Sequence, residues 1–132
     1  MNLSLTADPP ARAVDPRPPT HAEQKIVELH GEIDITEVPA LRERLNLALD
    51  ATAERHGRII IDLTGVTFLD ASGLAVLIGV QRRARRLHVP MCLAAPGPQV
   101  RRILRITGLD RSLVIHATLI AAISARRMRT LA

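Results

Sequence analysis

The 132-residue sequence predicts an α/β fold, a mostly parallel or mixed sheet of four to five strands packed by about four helices. Three observations predict it. From residue 25 onward, strand-like segments alternate with segments of helical period four times over, and such alternation builds parallel strands joined by helical crossovers. One strand candidate, Arg58-Ile59-Ile60-Ile61-Asp62-Leu63, is a β-branched run without alternation, as a strand covered on both faces requires. At 47% hydrophobic residues, the chain is long enough for one domain with a core and too short to suggest two.

Taken in order, residues 1–24 are expected to form a leader. Five of the nine prolines fall within residues 8–20 and exclude a helix or a central strand there; ahead of them, Asn2 to Thr6 has residues suited to a short edge strand. Val27, Leu29, Gly31 and Ile33 alternate with Glu28, His30 and Glu32, the two-residue period of a half-buried strand over Lys25 to Asp34. Thr36 offers an N-cap and Pro39 stands in the first turn of a helix. Its apolar positions Val38, Leu41, Leu45, Ala48, Leu49 and Thr52 recur at helical spacing to about Ala53. The central strand at Arg58 follows, then Gly65 to Asp70, and then a second helix over Ser72 to Leu87. Val76, Leu77, Val80, Ala84 and Leu87 make its apolar stripe, and Arg82, Arg83, Arg85 and Arg86 extend its polar side. Val89 to Ala95 reads as a strand despite Pro90. Pro98 to Thr107 reads as a short helix with Val100, Ile103, Leu104 and Thr107 inward, ended by Gly108. Leu113-Val114-Ile115 and Thr118 to Arg127 supply a last strand and helix, so the domain is placed at residues 25–127 and a tail at 128–132.

Composition narrows the function classes. No apolar run reaches the ~18 residues of a membrane span, and the first residues have neither a basic nor an apolar signal region, so a cytoplasmic protein without membrane attachment is expected. Cys92 is the single cysteine and lies in an apolar run, which excludes an internal disulfide or a multi-cysteine zinc site. The five histidines, His21, His30, His56, His88 and His116, show no metal-binding spacing. No metal and no cofactor are expected. Residues 1–81 carry seven Arg or Lys against twelve Asp or Glu, whereas residues 82–132 carry eleven Arg against Asp110 alone. That asymmetry raises a nucleic-acid reading, but Phe68 is the only aromatic residue. No base-stacking platform is available, no helix-turn-helix or RNA-recognition motif is present, and the arginines read as solvated helix faces.

Chemistry concentrates in Phe68-Leu69-Asp70-Ala71-Ser72-Gly73-Leu74, between an apolar strand and a helix. In the plainest reading Asp70 or Ser72 caps the helix. A nucleophilic Ser72 would need a base, but the G-x-S-x-G elbow is missing and no histidine has a claim to that role, so no catalytic residue is assigned. A third reading makes Ser72 a phosphoryl acceptor: the helix N-terminus favours the added charge while Asp70 opposes it.

These residues carry a resemblance. Gly31-Glu32-Ile33-Asp34 at a strand end, Asp62-Leu63-Thr64-Gly65-Val66 with Phe68-Leu69-Asp70-Ala71-Ser72-Gly73-Leu74, and Val100-Arg101-Arg102-Ile103-Leu104 with Gly108-Leu109 together resemble the STAS domain of bacterial anti-sigma-factor antagonists. The match spans roughly residues 25–124. The resemblance implies a non-enzymatic binding module whose partner is an anti-sigma factor, often itself a serine kinase; capture frees a sigma factor, and phosphorylation at the position of Ser72 abolishes capture. It implies Asp34, Asp70, Ser72 and Gly73 as partner-binding positions. A monomer in the free state is expected on separate grounds, because the apolar stripes already have a sheet to cover. A phosphorylation-independent scaffold or a stress-signalling module is the alternative within the same fold. The chain departs from the family in its proline-rich leader, which occupies the place of a first strand, and in its arginine-dense second half.

Overall fold

The computed structural model describes residues 23–125. Strand β1 (Gln24–Ile33) passes through a 3-10 turn at Ile35–Glu37 into helix α1 (Val38–Glu54). Strand β2 (Arg58–Leu69) leads into α2 (Ala71–Arg86), and β3 (Met91–Ala94) into α3 (Pro98–Ile106). A 3-10 turn at Leu109–Arg111 precedes β4 (Val114–His116) and α4 (Leu119–Ser124). The strands lie in the order β1-β2-β3-β4 and every pairing is parallel. The α/β expectation is met, with four parallel strands among the described residues. The edge strand considered at Asn2 to Thr6 lies outside them.

A sheet that advances one neighbour at a time through right-handed crossovers must place its crossover helices on one face. Accordingly α1, α2 and α3 bury Leu45, Leu49, Leu77, Val80, Val100 and Leu104 against Val27, Ile59, Ile61, Leu63 and Leu93. Helix α4 follows the last strand, crosses to nothing, and covers the opposite face, where Ala122, Leu119 and Ile123 meet Ile60, Cys92, Ala94 and Ile26. Arg58 is buried beneath it and donates from Nη2 to the Ala122 carbonyl at 2.6 Å, tying α4 to the start of β2. Burial of every residue from Arg58 to Leu63 agrees with a central strand covered on both sides.

Several boundaries differ from expectation. β2 does not end at Leu63 but runs to Leu69, because it carries two extra residues relative to β1: Glu28 pairs with Asp62 and His30 with Gly65, then Gly31 with Val66 and Glu32 with Phe68. Each bulge breaks the two-residue period that identifies a strand. Thr36 is not the N-cap; Asp34 caps the 3-10 turn, and α1 starts after Glu37 with no side-chain cap bond. Val89 and Pro90 precede β3, although the Pro90 carbonyl still accepts from Ile59 N–H at 2.9 Å. Thr107 faces solvent and turns its hydroxyl back to the Ile103 carbonyl at 2.7 Å, and Leu87 is exposed at the end of α2. Gly108, at φ +78°, ends α3 as expected.

Candidate functional site

The site lies at the carboxyl edge of the sheet, where ligand and partner sites of open α/β folds gather. Ile33 and Leu69 are register partners at the ends of β1 and β2. Asp34 and Asp70 follow directly on each, so adjacent strands deliver two carboxylates to one edge. The Asp70 N–H donates to the Ile33 carbonyl at 3.2 Å, which extends the pairing one step into the connection.

Both aspartates make the same local structure. Asp70 Oδ1 accepts from Ser72 N–H at 3.0 Å, Gly73 N–H at 3.0 Å and Ser72 Oγ at 2.6 Å. Asp34 Oδ1 accepts from Thr36 N–H at 3.0 Å and Thr36 Oγ1 at 2.6 Å. Asp70 is thus the cap of α2, and Ser72 stands inside the first turn with its hydroxyl turned onto the cap. Gly73 is buried. A Cβ there would stand 2.6 Å from Leu69 Cδ1 and 2.9 Å from Ile33 Cγ2, so only glycine lets the first turn of α2 rest on both strand ends. The structure therefore brings Asp34, Asp70 and Ser72 to one edge but withdraws Gly73 from the surface, where it packs the turn from beneath.

The electrostatics follow from these contacts. The Ser72 hydroxyl, foremost, and then the Gly73 N–H hold the Asp70 carboxyl below its ordinary value, against an opposing push from burial. A carboxylate so stabilised is a poor base, and the Ser72 hydrogen points at that carboxylate rather than at a histidine. The arrangement suits an acceptor hydroxyl acted on by another protein better than a self-activated nucleophile. Two apolar side chains flank the edge, Ile35 at 71% exposure and Phe68 at 42%. No group of three or more His, Cys, Asp or Glu among the described residues is placed to hold a metal ion, and no described helix is long and apolar enough to cross a membrane.

One residue that sequence reasoning missed belongs here. The side-chain amide of Gln99, in the first turn of α3, donates to the Leu69 carbonyl at 3.0 Å and accepts from the Leu69 N–H at 2.9 Å. Nothing in the local pattern around Pro98-Gln99 distinguishes it from any other polar residue opening a helix.

With this geometry in place, the relatives become informative. Anti-sigma-F factor antagonist RsfB of Mycobacterium tuberculosis is 28% identical over 107 residues, 81% of this chain and 84% of that protein. The crystal structure of an anti-sigma factor antagonist from Mycobacterium paratuberculosis superposes with a TM-score of 0.72 at 29% identity, covering 84% of this chain and 92% of that one. The structure of the Bacillus cell fate determinant SpoIIAA in its phosphorylated form superposes with a TM-score of 0.59 at 25% identity, covering 77% and 89%. The family model for the STAS domain matches residues 15–122, and the chain belongs to that family.

Proposed function

We propose that this protein is an anti-sigma-factor antagonist of the cytoplasm that captures its anti-sigma partner in the unmodified state and loses it on phosphorylation of Ser72. The observation that carries the reading is the Ser72 hydroxyl held at 2.6 Å on the Asp70 carboxylate, beside Asp34 on the neighbouring strand end. A phosphoryl group there adds about −1.5 to −2 charges at neutral pH and removes the hydrogen that Ser72 donates. Two anions then face each other across the bond that joined them, and the edge that meets the partner changes in charge and shape. The catalytic groups and the ATP belong to the kinase, and the antagonist needs only a presented hydroxyl. Asp34 and the exposed Ile35 and Phe68 complete the docking edge in this reading, with the apolar pair as anchors and the carboxylate at the rim.

The basic second half fits this reading better than a nucleic-acid surface. Arg83 is committed to Asp50 and Asn46 on α1, Arg85 reaches the Ser112 carbonyl at 3.3 Å, and Arg101 reaches the Pro96 carbonyl at 3.2 Å. Arg83 thus joins α2 to α1 and Arg85 joins α2 to the turn before β4, while Arg101 closes on the loop that opens its own helix.

The test is intact-mass analysis after incubation with ATP and candidate anti-sigma kinases, followed by binding of both forms. One phosphoryl group mapped to Ser72, with capture lost, is the expected result. Ser72→Asp should weaken capture at least tenfold and Ser72→Ala should preserve it while blocking modification. Equal capture by the two variants would leave a phosphorylation-independent scaffold as the better reading.

A further inference from the structure

β2 outruns its neighbour on one side. It pairs with β3 only from Ile59 to Asp62, yet with β1 as far as Leu69. Beyond Asp62 its backbone on the β3 side needs partners other than a strand, since buried N–H and C=O groups left unmade are costly. At Leu69 that partner is the Gln99 amide, which offers a donor and an acceptor on one planar group as a strand residue would. The next residue is held from the other side, Asp70 N–H on the Ile33 carbonyl. Two consecutive residues at the end of β2 are thus clamped from opposite directions, immediately before the turn that carries Ser72.

We infer that Gln99 is the positioning residue of the Ser72 switch, an assignment that rests on the reading of Ser72 given above. A charge placed on Ser72 repels the Asp70 carboxylate, and the strain has two outlets. The strand end can drift until the groups separate, or it can hold and leave the altered charge on the docking edge. The Gln99 clamp closes the first outlet. It keeps the unmodified edge in the geometry that the partner meets, and it makes modification a change of surface rather than a local loosening of the fold.

The test pairs two substitutions with the switch itself. Gln99→Met keeps the length of the side chain and removes both hydrogen bonds; Gln99→Glu keeps an acceptor for the Leu69 N–H and loses the donor. Each is made alone and together with Ser72→Asp in the full chain, and partner capture, native-state hydrogen exchange and Tm are measured. Gln99→Met is expected to weaken capture roughly tenfold and to speed exchange at the amides of Ser72 and Gly73 as well as Leu69, with Ile60 and Leu93 unmoved. The ratio of capture before and after Ser72→Asp should shrink severalfold, because the loosened edge relaxes the repulsion; Gln99→Glu should fall between. A clamp that merely supports the fold would lower Tm and weaken both forms alike. An unchanged ratio, or faster exchange confined to Leu69, therefore overturns the inference. If Ser72→Asp alone leaves capture intact, the reading of Ser72 fails instead, and exchange at Ser72 and Gly73 in Gln99→Met still decides whether Gln99 positions that turn.

Discussion

Ser72 and Asp70 form one unit, in which the carboxylate caps the helix and the hydroxyl stabilises the carboxylate. Because the folded-state carboxyl is depressed by the Ser72 hydroxyl and the Gly73 N–H, its contribution to stability is present above the unfolded carboxylate range. It is lost as pH falls through that range to the folded value. Asp70→Asn keeps a capping acceptor without the charge. The wild-type advantage in Tm over Asp70→Asn should hold at neutral pH and shrink on acidification, and a difference that stays constant with pH would sink this account. The same Asp-x-Thr geometry at Asp62 and Thr64, with Oδ1 accepting from the N–H at 3.0 Å and the hydroxyl at 2.6 Å, holds the first bulge of β2 and needs no partner to explain it. The motif is a local structural device, and what sets the Asp70 copy apart is its place at the sheet edge.

At the scale of the element, α2 shows how a helix balances packing against propensity. Its buried face holds Val76, Leu77, Val80 and Ala84 of the stripe expected from spacing, gains Leu74 and leaves Leu87 exposed, and Arg83, Arg85 and Arg86 in its last turn suit the negative end of the helix dipole. Gly79 lies exposed at mid-helix, and a Cβ there would meet nothing within 4 Å. Gly79→Ala is therefore expected to raise unfolding stability by about 1 kcal/mol in urea titration; a loss would mean that the position is not open. Gly108 is the opposite case. At φ +78°, with the Arg111 guanidinium 2.9 Å from a would-be Cβ, Gly108→Ala should cost about 1 kcal/mol in the same titration, through backbone strain.

For the whole molecule, the two faces of the sheet are unequal. Three helices seal one face, while the other is closed by α4 on a small cluster centred on Ile60 and Cys92. Ile60 is fully buried, and Ile60→Ala should cost roughly 2–5 kcal/mol. The loss should appear first as faster hydrogen exchange in α4, whose apolar footing it removes, with the α1–α2 side protected until global unfolding. Exchange rising equally on both faces would show that the two clusters open as one. The Ser72 edge belongs to the three-helix side, so a destabilised α4 should leave partner capture near wild type at temperatures where the domain is folded.

Much of this was open to a reader of the sequence, for a physical reason. Strand and helix periods are properties of neighbouring residues, so the alternation from residue 25, the doubly buried run at Ile59 to Ile61, the α2 stripe and the Gly108 stop could all be read locally. The spacing of Asp70 and Ser72 at a strand-to-helix turn was legible in the same way. Tertiary structure alone decided the rest. The bulges that carry β2 to Leu69 exist only in relation to β1, and a strand with extra residues no longer shows its own period. The burial of Gly73 depends on Ile33, forty residues earlier in the chain. The Gln99 clamp joins positions thirty residues apart through an amide that any exposed helix start could carry, and only the early end of β3 makes the fold need it there.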